Sequence, residues 1–185
     1  VGFRRGYGYQ GSANRGPRWP EGFGAEMKHK MREFGPWTFG MTAFGECLPY
    51  EDNRVSLHPA KVDRFGIPQM QFNVTFRDNE LKMMADARAQ GEAMLTKAGL
   101  LNVTSYEQEH VPGDAIHEMG GARMGADPRA SVLNKWSQAH DAPNLFVTDG
   151  AQMASVSCVN PSLTFMALTA RAANRAVKEM KAGRI

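Results

Sequence analysis

Between Trp37 and Phe76 the apolar residues recur at about every second position, and from Leu81 onward at every third or fourth. The first period suits strands with alternating faces and the second an amphipathic helix, so a set of strands must precede one long helix. Residues 38–50 (TFGMTAFGECLPY), 54–58 (RVSLH) and 67–76 (IPQMQFNVTF) alternate or cluster Phe, Val, Met and Thr. Turn signals at Glu51-Asp52-Asn53 and Phe65-Gly66 separate them, which predicts antiparallel strands. Asp78-Asn79-Glu80 then supplies a cap and first-turn acid. Leu81, Met84, Ala87, Met94, Leu95 and Ala98 form the expected buried stripe, closed by Gly99. The methionines of that stripe read as core filler.

Ahead of the strands, residues 2–20 (GFRRGYGYQGSANRGPRWP) show no helical period and read as an extended or loop segment that needs the remainder of the chain for order. The competing reading is an arginine-glycine-aromatic tail for RNA, with Tyr7, Tyr9 and Trp19 stacking on bases. Residues 22–34 read as a short polar helix ended by Gly35-Pro36. The formal charge is +3 overall, yet the first 35 residues carry +4 and the rest −1. The basic balance is therefore local and does not make the protein a nucleic-acid binder.

At 185 residues, with 42% hydrophobic and 22% charged residues, the chain has the size and composition of one globular domain. Cys47 and Cys158 stand 111 residues apart without a second ligand pair, which fits neither a disulfide framework nor a metal site. His29, His58, His110, His117 and His140 show no ligand spacing on a common element, so no metal is expected. There is no run of about eighteen apolar residues, hence no expected membrane span. A soluble protein is expected, its compartment, cytoplasmic or periplasmic, left open. The start at Val1 reads as a piece or a processed product.

The last third holds short runs and many glycines until a final helix. NLFVT (144–148) has the length of a short buried strand and runs directly into Asp149-Gly150. Asn160-Pro161 opens a helix to about Lys181, with Leu163, Met166, Ala167, Ala170, Ala173 and Val177 as its buried face. Arg171, Arg175, Lys178 and Lys181 bring positive charge toward its carboxyl end, where the macrodipole favours it. Taken singly, a histidine before a glycine-rich loop (HEMGGARMG, from His117), an Asp-Gly step and a capped helix are ordinary features.

In this order, HEMGGARMG, NLFVTDGA (144–151) and NPSLTFMALTARAA (160–173) resemble three carboxyl-terminal blocks of the glucose-methanol-choline (GMC) family of flavin oxidoreductases. GECLPYEDNRVSLHP and the FGIP that leads to DNE are similar to the family's substrate domain, so the resemblance is firm from Glu46 to Met180. The nearest likeness is to bacterial gluconate 2-dehydrogenase-like and pyranose-oxidase-like sugar or glycoside oxidoreductases.

The resemblance implies an α+β fold: an antiparallel substrate-domain sheet with flanking helices, plus a carboxyl-terminal strand and helix that complete an FAD-binding domain. It divides the chain into a substrate-domain part, 1–110, and a catalytic segment, 111–185, that returns to the FAD-binding domain. It implies that His117 takes the hydroxyl proton of an alcohol or stabilises the alkoxide while hydride passes to FAD, and that Asn160 bonds the same oxygen. A histidine suits this step because its ordinary pKa of about 6.5 lies near working pH. Asp149, Gly150, Asn160, Pro161 and Thr164 would contact FAD, the helix amino terminus facing the charge that a reduced flavin gathers. Gln69, in Pro68-Gln69, is similar to a sugar contact of pyranose-oxidase-like members, although Asn73 stands where those members have Asp.

The family's GxGxxG unit does not occur here. The expectation is a carboxyl-terminal portion that is inactive alone and needs an amino-terminal FAD-binding half or a partner chain, with an alcohol or sugar as substrate. A non-catalytic sugar- or partner-binding module derived from the same family is the alternative.

Overall fold

Strand β1 (Tyr7–Asn14) runs antiparallel to β2 (Thr38–Gly45), Tyr7 facing Gly45 and Asn14 facing Thr38. The computed structural model describes residues 2–16, 21–106, 111–113 and 115–185. The amino-terminal segment is thus extended, as expected, and gains its order by pairing. Tyr7 and Tyr9 are engaged in packing, while Trp19 of the RNA-tail reading lies outside the described residues. Helix α1 (Ala25–Lys30) is shorter than the expected 22–34.

Strand alternation gives the β1–β2 sheet two occupied faces. On one face lies helix α2 (Asp78–Lys97). The Tyr7 hydroxyl donates to Asp86 Oδ2 at 2.6 Å and the Tyr9 hydroxyl to the Ala87 carbonyl at 2.5 Å. Small residues make this approach possible: a Cβ at Gly45 would lie 2.7 Å from Met83 Cε, and one at Gly91 would lie 3.3 Å from Met41 Cε. The buried positions of α2 are Glu80, Met83, Ala87 and Gly91, so the expected stripe is turned by about one residue and Leu81 and Met94 face outward. Met83 seats over Gly45, and Ala87 and Gly91 let Tyr9 and Met41 of the sheet approach the helix closely.

Glu80 organises the start of α2. Only 2% exposed, it accepts hydrogen bonds from the backbone N–H of Leu48 and Arg77, the Asn79 amide and the Tyr50 hydroxyl. Arg77, ahead of the expected Asp78-Asn79-Glu80 cap, is the N-cap, while Asp78 and Glu80 supply the expected first-turn acid.

Strands β3 (Arg54–Val62) and β4 (Pro68–Asn73) form a second antiparallel hairpin, with Val55 opposite Phe72 and Leu57 opposite Met70. The expected single substrate-domain sheet is therefore two separate two-stranded sheets. Alternation gives the hairpin an apolar face of Val55, Leu57, Met70 and Phe72, all exposed, and a polar face that includes Ser56, Gln71 and Asn73. The 110/111 division expected from the sequence falls beside residues 107–110, outside the described ones.

The last third is held by turns and isolated bridges up to helix α3 (Ser162–Lys181), where a helix was expected. Residues 144–148 correct the sequence reading: they make one bridge, Phe146 to Gln138, and no strand. A buried strand needs a ladder partner along its length, and the described residues offer none. Helix α3 brings a second correction. Leu163 is 80% exposed and Met166 68%, whereas Ala172 and Glu179 are buried, so the expected buried face points away from the chain. Among the described residues the fold is mixed α/β, with small antiparallel sheets and three helices, none long and apolar enough to cross a membrane.

Candidate functional site

His117 sits half-buried in a turn that is closed when the Ala115 N–H donates to Glu118 Oε1 at 2.8 Å. Ile116 precedes it at φ 58°, a left-handed conformation that costs a β-branched residue energy and gives the histidine a sharply defined entry. After Gly120 (φ 90°) the loop runs beside residues 151–152: the Ala122 N–H donates to the Ala151 carbonyl at 3.0 Å and the Met124 N–H to the Gln152 carbonyl at 2.8 Å.

The Asp-Gly step caps a single 3-10 turn, Gly150–Gln152, in which Asp149 Oδ1 accepts from the Ala151 N–H at 2.9 Å. Gly150 is the meeting point. A Cβ there would lie 2.8 Å from Met119 Sδ and 3.2 Å from Phe165 Cζ. Met119 is two residues beyond His117 and Phe165 lies in the first turn of α3, so the three segments singled out in the sequence converge on one glycine. The Thr169 hydroxyl adds a tie from α3, donating to the Thr148 carbonyl at 3.2 Å.

The start of α3 is open. Pro161 is buried while Asn160 and Thr164 are exposed, and no side chain caps the helix among the described residues. A long helix whose first N–H groups lack a side-chain cap suits a partly negative ligand edge. The arrangement therefore brings His117, Asp149, Gly150, Asn160, Pro161 and Thr164 onto connected segments. Gln69 stands apart: it is exposed on β4, its amide donating to the Val62 carbonyl at 3.4 Å, and no described contact ties it to the His117 loop.

Sequence reasoning missed Gln152. It is fully buried, accepts from the Ser137 hydroxyl at 2.5 Å and donates to the Asp149 carbonyl at 3.0 Å, so it fixes the Asp-Gly step from behind. A lone Gln after DGA carries no local signal. Among the described residues no group of three His, Cys, Asp or Glu could hold a metal ion.

Residues 49–169 match the family model described as GMC oxidoreductase. The chain is 34% identical, over 92% of its length, to 2-methyl-1,2-propanediol dehydrogenase of Mycolicibacterium austroafricanum, of which the match covers 32%. It is 35% identical, over 86% of its length, to the fructose dehydrogenase large subunit of Gluconobacter japonicus, covering 29% of that protein. It is 34% identical, over 68% of its length, to paromamine 6'-oxidase of Streptomyces fradiae, covering 23% of it. A gluconate 2-dehydrogenase flavoprotein and a pyranose 2-oxidase are also among its relatives, which bears out the likeness read from the motifs. The chain spans about a third or less of the length of these relatives.

Proposed function

Because the chain belongs to the GMC oxidoreductase family, we propose that it is the carboxyl-terminal portion of an FAD-dependent enzyme that oxidises a CH–OH group, that of a sugar or glycoside. The observation that carries the reading is the convergence on Gly150 of the His117 loop, the Asp-Gly step and the start of α3. What fits the cofactor is the uncapped α3 amino terminus with Asn160 and Thr164 exposed, held beside the Asp149-Gly150 step by the packing of Met119 and Phe165 on Gly150. Asp149, Gly150, Asn160, Pro161 and Thr164 would hold it. When bound, FAD supplies the acceptor for the hydride that leaves the carbinol carbon.

The chain's own part is proton handling and orientation. His117 takes the hydroxyl proton as the C–H bond breaks, so the alcohol becomes a carbonyl while two electrons leave with the hydride. The Asn160 amide donates to the same oxygen and holds the carbinol in line. Gln69 is the proposed sugar contact on the substrate-domain part.

The outward apolar faces support a need for further polypeptide. Leu163 and Met166 on α3, with Val55, Leu57, Met70 and Phe72 on the β3–β4 hairpin, are all more than half exposed. Clustered apolar side chains exposed on one face of an element mark an interface. An amino-terminal FAD-binding half, or a partner chain, is the proposed occupant, and residues 1–185 alone are proposed to be inactive.

The test is kinetic. In the full-length flavoprotein, His117→Ala should lower kcat about 10²- to 10⁴-fold, and Asn160→Ala should also lower kcat, in both cases with flavin retained. Unchanged turnover in His117→Ala would remove it from the reaction. Stoichiometric flavin on the isolated chain would disprove the need for more polypeptide.

A further inference from the structure

The second face of the β1–β2 sheet carries a contact that the reaction scheme does not use. Alternation turns Tyr7, Tyr9 and Gly45 toward α2 and therefore turns Gly8 and Glu46 the other way. Glu46 stays in the ladder just past β2, its N–H donating to the Gly6 carbonyl at 3.2 Å. Its carboxylate, 17% exposed, accepts a hydrogen bond from the Ser155 hydroxyl, 109 residues away, and lies 3.6 Å from the Arg5 guanidinium. On the same face Gly8 receives Cys158, whose Sγ would lie 2.8 Å from a Cβ at that position.

Both contacts fall on residues 155–158, immediately ahead of Asn160. Between them Ser157 has φ 63°, a left-handed conformation unfavourable for a residue with a side chain. A segment bent in this way keeps its shape when it is held on both sides of the bend. Asn160 is exposed, so its place is set by the backbone that leads to it and by buried Pro161 behind it.

We propose that Glu46 is a positioning residue for Asn160: through Ser155, and with Cys158 seated on Gly8, it fastens the start of α3 to the substrate-domain sheet. The catalytic half of this inference rests on the oxidoreductase reading above. The structural half, that Glu46 holds residues 155–160, does not.

The experiment uses the full-length flavoprotein with Glu46→Ala, Glu46→Gln, Ser155→Ala and the double variant Glu46→Ala/Ser155→Ala. Steady-state kinetics with an alcohol substrate are combined with amide hydrogen exchange of residues 153–160. Small misplacement of a positioned group costs rate more than binding, so Glu46→Ala and Ser155→Ala should each lower kcat about tenfold or more while KM moves less than about twofold. Each should speed exchange in 153–160 and leave α2 unchanged. The double variant should be no worse than the poorer single one, because both remove one contact. Glu46→Gln keeps an oxygen that accepts from Ser155 and should retain most of the rate. If Glu46→Ala fails to fold, Ser155→Ala, which removes only a hydroxyl, decides. Unchanged kcat and exchange in Ser155→Ala, or losses that multiply in the double variant, would overturn the proposal. A wild-type full-length protein that holds no flavin and turns over no alcohol overturns the oxidoreductase reading instead, and exchange still decides whether Glu46 holds the segment.

Discussion

Ser137 and Gln152, both fully buried, share a hydrogen bond of 2.5 Å that backs the Asp149-Gly150 step. Gln152→Leu leaves the buried Ser137 hydroxyl with only the weak Met124 Sδ acceptor at 3.7 Å, and the Asp149 carbonyl with only the long backbone N–H contact of residue 152 at 3.4 Å. The expected loss is about 1–3 kcal/mol of stability, read from denaturant unfolding of the full-length protein. Adding Ser137→Ala should recover part of it, since the orphaned hydroxyl is then removed.

Gly150 makes the site's packing testable. Gly150→Val places two methyl groups against Met119 and the Phe165 ring, where one Cβ already lies inside contact distance. The expected outcome is a protein that retains less FAD, measured as the ratio of flavin to protein absorbance. Because the Met119 end is flexible, Met119→Ala should restore part of the flavin content of Gly150→Val.

Acid stability should depend on Glu80. Burial pushes its carboxyl group up, but hydrogen bonds from the Leu48 and Arg77 N–H groups, Asn79 and Tyr50 outweigh burial and hold it below the usual range. A carboxylate depressed on folding contributes stability that is present above its unfolded pKa and lost as pH falls through the folded one. Glu80→Gln should therefore lower the unfolding midpoint at neutral pH and flatten its fall toward acid. A fall of equal steepness in both proteins would contradict this.

Cys47 gives a chemical reading of the same neighbourhood. Cys47 is exposed, yet the chain around it partly desolvates the thiol and, together with the negative charge of Glu80, pushes it up to about 11. Alkylation should be slow at neutral pH and accelerate toward that value, because the thiolate is the reacting species. Glu80→Gln should shift the profile to lower pH, as followed by iodoacetamide labelling of the peptide that contains Cys47.

The sequence was most legible where local pattern and local partners coincide. β2 and β4 lie within the runs of period two, β3 starts with such a run and continues four residues past it to Val62, and α3 begins after Asn160-Pro161. Helix faces were less legible, because periodicity says which residues prefer burial and not what chain is present to cover them. Leu163 and Met166 have the right spacing yet face outward, and on α2 Ala87 is buried as expected, but beside Met83 and Gly91 in place of Leu81 and Met94. Residues 144–148 were apolar enough for a strand but among the described residues pair only through the Phe146–Gln138 bridge. The order of motifs carried the site, whereas Gln152 and the Glu46–Ser155 contact were invisible because each joins residues that only the fold brings together.

The close seat of Met119 on Gly150 also has an oxidative side. Peroxide turns a thioether into a sulfoxide, polar and larger by one oxygen. The space between Met119, Gly150 and Phe165 does not admit even a methyl group without movement. Oxidation of this one sulfur would push apart the segments that meet there, so the packing that gathers them also ties their arrangement to the redox state of a single side chain.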